Sequence, residues 1–414
     1  MDRDGTVYLN NAATTFPKPP QVLDAMVRAW RCPPENGFRS SAFSGGKDVL
    51  TACRENLCRL LGIADTERLF LAGGATDALN RVFGGLDLRD KPVIITQTEH
   101  NSVLRPLYNN ETTSANVHVV PCDAHGYVGQ AALAQVLSSL FGDSGEPGRR
   151  AVCLDGYRKR GSSEDAGKPV KGLVVVNHCS NVTGAIQPVR LLSDVAHRYD
   201  CLFMLDASQS AGCLPVMTDQ WNVDILAFTG HKSLFGPTGT GGYYVRRNIV
   251  FKPLMYGGTG RNSSVITYDA GDYEYEVGTQ NAVAFAGLNA GVLYVMARGI
   301  DSIAEKERSR MRRIYSALSS RPDVTVYAGD DGDSRGPLLS FNINGMKPQD
   351  AAYILYNAYG ITLRTGLHCS PLIHKALGTQ PYGTLRVSVS DLTADSDIDC
   401  FLAAVDDIAK ACRR

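Results

Sequence analysis

Short apolar runs alternate with amphipathic stretches from about residue 67 to residue 247. The runs are Arg68–Ala72, Pro92–Thr96, Val117–Val120, Gly172–Asn177, Cys201–Asp206, Ile225–Phe228 and Gly242–Val245. Apolar runs this short that do not alternate with polar residues predict strands buried on both faces. The spacing of apolar residues predicts helices over Pro20–Arg31, Gly46–Leu61, Asp77–Gly84, Gln130–Leu140 and Pro188–Tyr199. Doubly buried strands separated by helices predict an α/β fold, doubly wound around a mainly parallel sheet of seven strands. Ligands in such sheets lie at the carboxyl ends of the strands, so the turns after the strands carry the chemistry.

The pattern changes after about residue 260. Helices are expected at Ala282–Arg298, Ile303–Ser319, Pro348–Tyr359 and Ser396–Arg413, and strands near Val324–Ala328, Leu338–Ile343, Ile361–Arg364 and Thr384–Val389. That mixture predicts a smaller α+β domain. Residues 142–169 are rich in Gly, Ser and charge and read as a surface insertion between a helix and the next strand.

Composition narrows the function. A chain of 414 residues exceeds one ordinary core and predicts two domains. Lys and Arg total 42, and Asp and Glu also total 42, so the basic excess of a nucleic-acid binder is missing. No apolar stretch is long enough to span a bilayer; Ala282–Ala297 is broken by Asn289 and reads as a buried helix. The N-terminal Met-Asp-Arg-Asp-Gly has no apolar signal core, so a cytoplasmic protein is expected. The 11 cysteines are scattered, without Cys-x-x-Cys spacing. They read as buried thiols in a reducing compartment, with no disulfide framework or zinc ribbon.

Seven turns hold candidate chemistry. In Phe228-Thr-Gly-His-Lys232, a lysine follows a buried strand and precedes a Gly-rich turn. An apolar setting depresses a lysine pKa and suits a Schiff base, with Thr229 and His231 placed to hold a phosphate. Asp206 ends a buried strand, where a protonated pyridine nitrogen would make its charge useful; a helix cap would look the same. Gly73-Gly-Ala75-Thr76 opens a helix whose N–H groups form an anion site without the Lys-Ser/Thr of a Walker loop. His100 follows a strand and could stack on a planar ring. Asn181 sits in a strand-to-loop turn and Gln209 lies just past Asp206. Cys369 lies in a Gly- and Pro-punctuated loop beside His368 and near Arg364, a setting for a low-pKa thiolate. Arg386 lies inside an alternating strand, where a bound carboxylate would explain it.

In that order the motifs resemble the class V aminotransferase family of pyridoxal-phosphate enzymes, and within it the cysteine desulfurase and selenocysteine lyase branch. The resemblance runs from Tyr8-Leu-Asn-Asn-Ala-Ala-Thr14 to Arg386, and the short cysteine loop is similar to group II, the SufS-like proteins. It implies a fold type I architecture. Residues 1–19 would be a segment near the active site, 20–260 the larger cofactor-binding domain, and 261–414 the smaller domain carrying the cysteine loop. It implies Lys232 as the Schiff-base lysine for pyridoxal 5'-phosphate and Asp206 on the pyridine nitrogen. His100 would lie on the ring, Gln209 and Asn181 near the ring hydroxyl, and Ala75, Thr76, Thr229 and His231 at the phosphate. The stretch Glu276-Val-Gly-Thr279 would complete the site of a neighbouring subunit, which implies a homodimer. Arg386, with Arg364 and Asn10, would hold the substrate.

The implied activity converts L-cysteine to L-alanine. Lys232 would move the α-proton, the Cys369 thiolate would take the sulfur as a persulfide, and His100 would serve as a proton donor or acceptor. A sulfur-acceptor protein, as in iron–sulfur cluster assembly, would then receive it. Selenocysteine lyase, another C–S lyase and an aminotransferase are alternatives on the same scaffold. Asn10 stands where the family motif has Asp, Thr229 replaces a Ser, and the loop after Cys369 departs from the best-studied group II pattern.

Overall fold

The computed structural model describes residues 6–31, 48–111, 113–142, 170–249, 251–259, 264–268, 274–328 and 334–412. The expected insertion therefore lies outside the described residues, apart from Gly142. The first part of the chain contains β1 (Val7–Tyr8), α1 (Pro20–Arg31), α2 (Val49–Leu61), β2 (Leu69–Ala72), α3 (Ala75–Gly85), β3 (Val93–Thr96) and α4 (Asn101–Tyr108). Then come β4 (Val117–Val120), α5 (Gln130–Phe141), β5 (Gly172–Asn177), α6 (Val189–Arg198), β6 (Cys201–Asp206), β7 (Ile225–Thr229) and β8 (Gly241–Val245). The remainder contains α7 (Ala282–Arg298), α8 (Ile300–Ser319), β9 (Val324–Tyr327), β10 (Leu338–Ile343), α9 (Pro348–Tyr359), β11 (Ile361–Thr362), β12 (Arg364–Gly366), α10 (Pro371–Ala376), β13 (Thr384–Ser388) and α11 (Asp395–Cys412).

Seven strands form one sheet in the order β2-β8-β7-β6-β5-β3-β4. Pairing is parallel except at β8, which runs against both β2 and β7. Successive residues of a central strand enter opposite cores, because side chains alternate across a strand. Val174, Val176, Phe203 and Leu205 join one apolar layer with α2, α5, α6 and α7. Leu173, Val175, Leu202 and Met204 join the other with α3 and α4. Two covered faces are why these strands read as unbroken apolar runs. The edge strand β4 corrects that reading, since Val119 is exposed and Val117 and His118 are only half-buried.

A second, antiparallel sheet has the order β12-β13-β10-β9 and its own core around Leu339, Phe341, Leu385, Val387 and Phe401. The N-terminal segment enters this unit: β1 pairs with β11, and Asn10 bridges to Ser388. The helix α7 lies in the sequence range expected for the smaller domain, yet it packs on α1 and α2 and buries Phe285, Leu288 and Val292 in the large core. Its apolar face continues the large layer, so the larger body takes in residues beyond 260. Among the described residues no single helix is long and apolar enough to cross a membrane.

Candidate active site

The carboxyl ends of β2, β3, β5, β6 and β7 open into a cavity of about 300 Å³. Its wall includes Ala75 and Thr76 at the start of α3, His100 at the start of α4, and Asn181, Asp206 and Gln209 after β5 and β6. Thr229, His231 and Lys232 enter from the end of β7, and Arg364 and Arg386 from the small sheet. Most of the sequence-derived site therefore converges on one cavity. Asn10 lies beside it, with its Oδ1 accepting Arg386 Nη2 at 3.2 Å. Cys369 is reached through Arg364, whose Nη2 donates to Cys369 Sγ at 2.8 Å. Thr279 does not line the cavity and is exposed.

One end of the cavity suits an anion. Gly74 precedes α3 with φ of 131°, a conformation that side chains other than glycine rarely adopt. The first residues of that helix, whose N–H groups have no partner within it, line the cavity together with Thr229. His231 lies at the same wall with Nδ1 buried and unpartnered. Its imidazole is pushed down to about 4 by burial and then by the neighbouring Lys232 and Lys18, so it is neutral near pH 7. The His231 carbonyl accepts from Thr15 N at 3.1 Å, Thr14 Oγ1 at 3.1 Å and Lys18 Nζ at 3.2 Å. Those three bonds tie the N-terminal segment to the residue before Lys232.

The middle of the cavity holds the ionisable groups. Lys232 faces the open space but is otherwise surrounded by protein. Burial lowers its pKa to about 8, with Arg386 and Arg364 adding to the shift and Asp206 opposing it. Asp206 is 5% exposed, and its Oδ1 accepts the amide of Ser208 at 2.9 Å. His100 is pushed down to about 3, first by burial and then by Lys232 and the nearby arginines. Its Nδ1 accepts the Ser102 amide at 3.0 Å, so in the neutral ring the proton lies on Nε2.

At the other end stand two arginines. Arg364 on β12 and Arg386 on β13 are directly paired across the strands, and among the described residues no carboxylate bridges either one. Like charges placed opposite each other destabilise a sheet. Arg386 is fully buried, donates Nη1 to Asn181 O at 2.9 Å and leaves Nε unpartnered. Burial, with Arg364 second, lowers its pKa to about 9. This geometry suits the binding of a carboxylate. Next to it, His368 and Cys369 adopt φ of 50° and 62°. Left-handed backbone at residues other than glycine costs about 1–2 kcal/mol each, so contacts of the loop must offset it.

The sequence reading missed some wall residues. Ser102, Asn177, Ser208 and Cys179 also line the cavity. Ser208 sits two residues past Asp206 with a buried, unpartnered Oγ, and that short spacing was its available signal. Cys179 is inert by its surroundings: burial pushes its thiol up to about 12. Of the eight cysteines whose side chains are described, five are buried.

These residues fit pyridoxal phosphate. The helix start and His231 Nδ1 would take its phosphate, Ser208 Oγ is a further unpartnered polar atom of the wall, and Asp206 and Lys232 would supply the anion and the amine that the ring needs. The doubly wound sheet, with an aspartate ending β6 and a lysine just after β7, defines the fold type I architecture of pyridoxal-phosphate enzymes. Comparison with known proteins gives the same result. Residues 7–140 and 156–401 match the model of the family described as aminotransferase class-V. The chain belongs to the class V aminotransferase family. It is 31% identical, over 97% of its length and 94% of the relative's, to a probable cysteine desulfurase of Methanothermobacter thermautotrophicus. The solved cysteine desulfurase of Thermococcus onnurineus NA1 superposes with a TM-score of 0.80 at 26% identity, covering 99% of this chain and 96% of that one. The cysteine desulfurase CsdA of Escherichia coli gives 0.78 at 25% identity, with the same coverage.

Proposed function

We propose that the chain is a pyridoxal-phosphate-dependent cysteine desulfurase that converts L-cysteine to L-alanine and leaves the sulfur as a persulfide on Cys369. The observation that carries this reading is the Arg364–Arg386 pair with Cys369 Sγ held 2.8 Å from Arg364. A carboxylate site and a thiol next to a guanidinium are what a sulfur-removing enzyme for an amino acid needs. Arg386, assisted by Asn10, would hold the substrate carboxylate. Lys232 Nζ, with its lowered pKa, would take the α-proton and return it elsewhere. When bound, the cofactor supplies an electron sink that loosens the α-C–H and C–S bonds. The Cys369 thiolate would attack the substrate sulfur, forming an S–S bond as the C–S bond breaks. The C–S electron pair stays with the carbon skeleton, which takes up a proton and leaves as alanine. His100 Nε2–H lies on the same wall as a proton donor.

We further read the protein as a homodimer. Leu23, Val27 and Trp30 form an exposed apolar stripe on α1, and Leu254, Met255, Val265 and Ile266 are exposed as well. Thr279, off its own cavity, would reach a neighbour's phosphate site. Unpaired cysteines support a reducing compartment, where an acceptor protein such as one of iron–sulfur assembly would take the sulfur. The test is turnover of L-cysteine by the loaded protein with a thiol reductant, reading alanine and sulfide together. Equal amounts of both, lost in Cys369→Ala, are expected. Pyruvate in place of alanine, or full activity in the variant, would refute the persulfide route.

A further inference from the structure

The residues flanking Cys369 are both held by one side chain. Asn181 donates Nδ2 to the carbonyl of His368 at 2.7 Å, and its Oδ1 accepts Ser370 Oγ at 2.7 Å. A carbonyl can only accept, so the bond to His368 fixes which end of the carboxamide points where. The Asn181 carbonyl takes Arg386 Nη1 at 2.9 Å. Asn181, His368, Ser370 and Arg386 are all at most 4% exposed, so water does not compete for these bonds. On the other side of the loop, the Cys369 carbonyl accepts the amide of Asn101 at 2.7 Å, one residue past His100. The left-handed conformations of His368 and Cys369 thus persist between fixed points on the large sheet.

We infer that Asn181 and Ser370 form a clamp that sets the position of the Cys369 sulfur relative to Arg386, and that both are positioning residues for sulfur transfer. The inference rests on the desulfurase reading for its kinetic part. It gives Asn181 a task other than the ring contact expected from the resemblance, since both ends of its carboxamide are engaged with the loop. It also gives a reason for Ser370 in a loop that departs from the group II pattern: its hydroxyl is the donor that closes the clamp. Ser370 does not line the cavity, so its replacement separates loop positioning from cofactor binding.

The experiment compares wild type with Ser370→Ala, both loaded with cofactor. Amide hydrogen exchange should speed up in peptides covering 367–372 and 99–103, while the visible absorption band of the bound cofactor stays unchanged. The kcat for alanine formation should fall about 10- to 100-fold with KM within about twofold, since a misplacement near 1 Å is enough for such a loss. Asn181→Asp keeps the acceptor for Ser370 but removes the donor to His368, and should loosen the same peptides. Unchanged exchange in both variants, or faster exchange with unchanged kcat, overturns the clamp, as does a parallel loss of cofactor band and KM. If wild type makes no alanine from L-cysteine, the desulfurase reading falls, while the exchange comparison still decides whether the clamp holds the loop.

Discussion

The substitution Glu99→Gln tests the electrostatics beneath the cavity floor. Glu99 is fully buried; its Oε1 accepts Thr96 Oγ1 at 2.6 Å and Asn177 N at 2.9 Å, and its Oε2 has no partner. Burial raises its pKa from 4.5 to about 8, the Thr96 bond opposes the rise and the nearby Asp206 adds to it. The folded value lies above the unfolded one. The stability Glu99 contributes is therefore complete below about pH 4.5 and is lost as pH rises toward 8. The unfolded chain gains by ionising over that window, while the folded protein keeps the proton. At about 1.4 kcal/mol per pH unit, the loss between pH 5 and pH 8 comes to roughly 4 kcal/mol. Glutamine does not titrate, so the variant should gain on wild type by that amount over the same interval. Unfolding entropy of about 2 cal/mol/K per residue converts this into a change of roughly 5 °C in the Tm difference. Calorimetric melts of both cofactor-free proteins at pH 5 and pH 8 read it directly. A Tm difference that stays constant or shrinks would show that Glu99 is not a neutral buried acid. Its neutrality matters to function because it spares Asp206 a second anion close by.

Two further outcomes follow from the charges in the cavity. Lys232, with its pKa lowered to about 8 chiefly by burial, should make the rate at which cofactor-free protein captures pyridoxal phosphate rise about tenfold per pH unit and level off near pH 8. Stopped-flow absorbance checks this, and a rate still climbing at about pH 10 would place the lysine in water. Arg386→Lys keeps the charge but gives up the planar fork. KM for L-cysteine should rise about 10- to 100-fold with a smaller change in kcat, and an unchanged KM in steady-state kinetics would remove Arg386 from the carboxylate site.

Much of this site was legible because the large sheet is buried on both faces. Apolar runs ending at Asp206 and Phe228 placed an acid and a lysine at the same edge of the sheet before any geometry was known. The helix α4 went unread: it has only eight residues, contains Pro106, and turns three apolar side chains, Val103, Leu104 and Leu107, to the core. The exposed face of β4 was also hidden, since Val-His-Val-Val does not say which strand will lie at the edge. The clamp was out of reach for a different reason. Asn181 bonds to residues 187 and 189 positions away, and nothing local in either segment marks the other. Turn chemistry near a strand end is a local signal, whereas a side chain that joins distant segments of the chain is a property of the fold.

The distribution of charge in the cavity suits a substrate that brings a carboxylate. Its histidines, His100 and His231, are kept neutral by burial and by the cations around them, so they can donate or accept without adding charge. The positive charge lies instead on Lys232 and on Arg364 and Arg386, and the two arginines face each other with no acid between them among the described residues. A substrate carboxylate on Arg386 would relieve that repulsion and would leave Arg364 with Cys369 Sγ, which it contacts at 2.8 Å. Carboxylate binding at Arg386 and the Arg364 contact with the Cys369 sulfur would thus be consequences of one arrangement. The arrangement holds because β12 and β13 fix the two guanidinium groups in register, while Asn181 joins Arg386 to the loop that carries the sulfur.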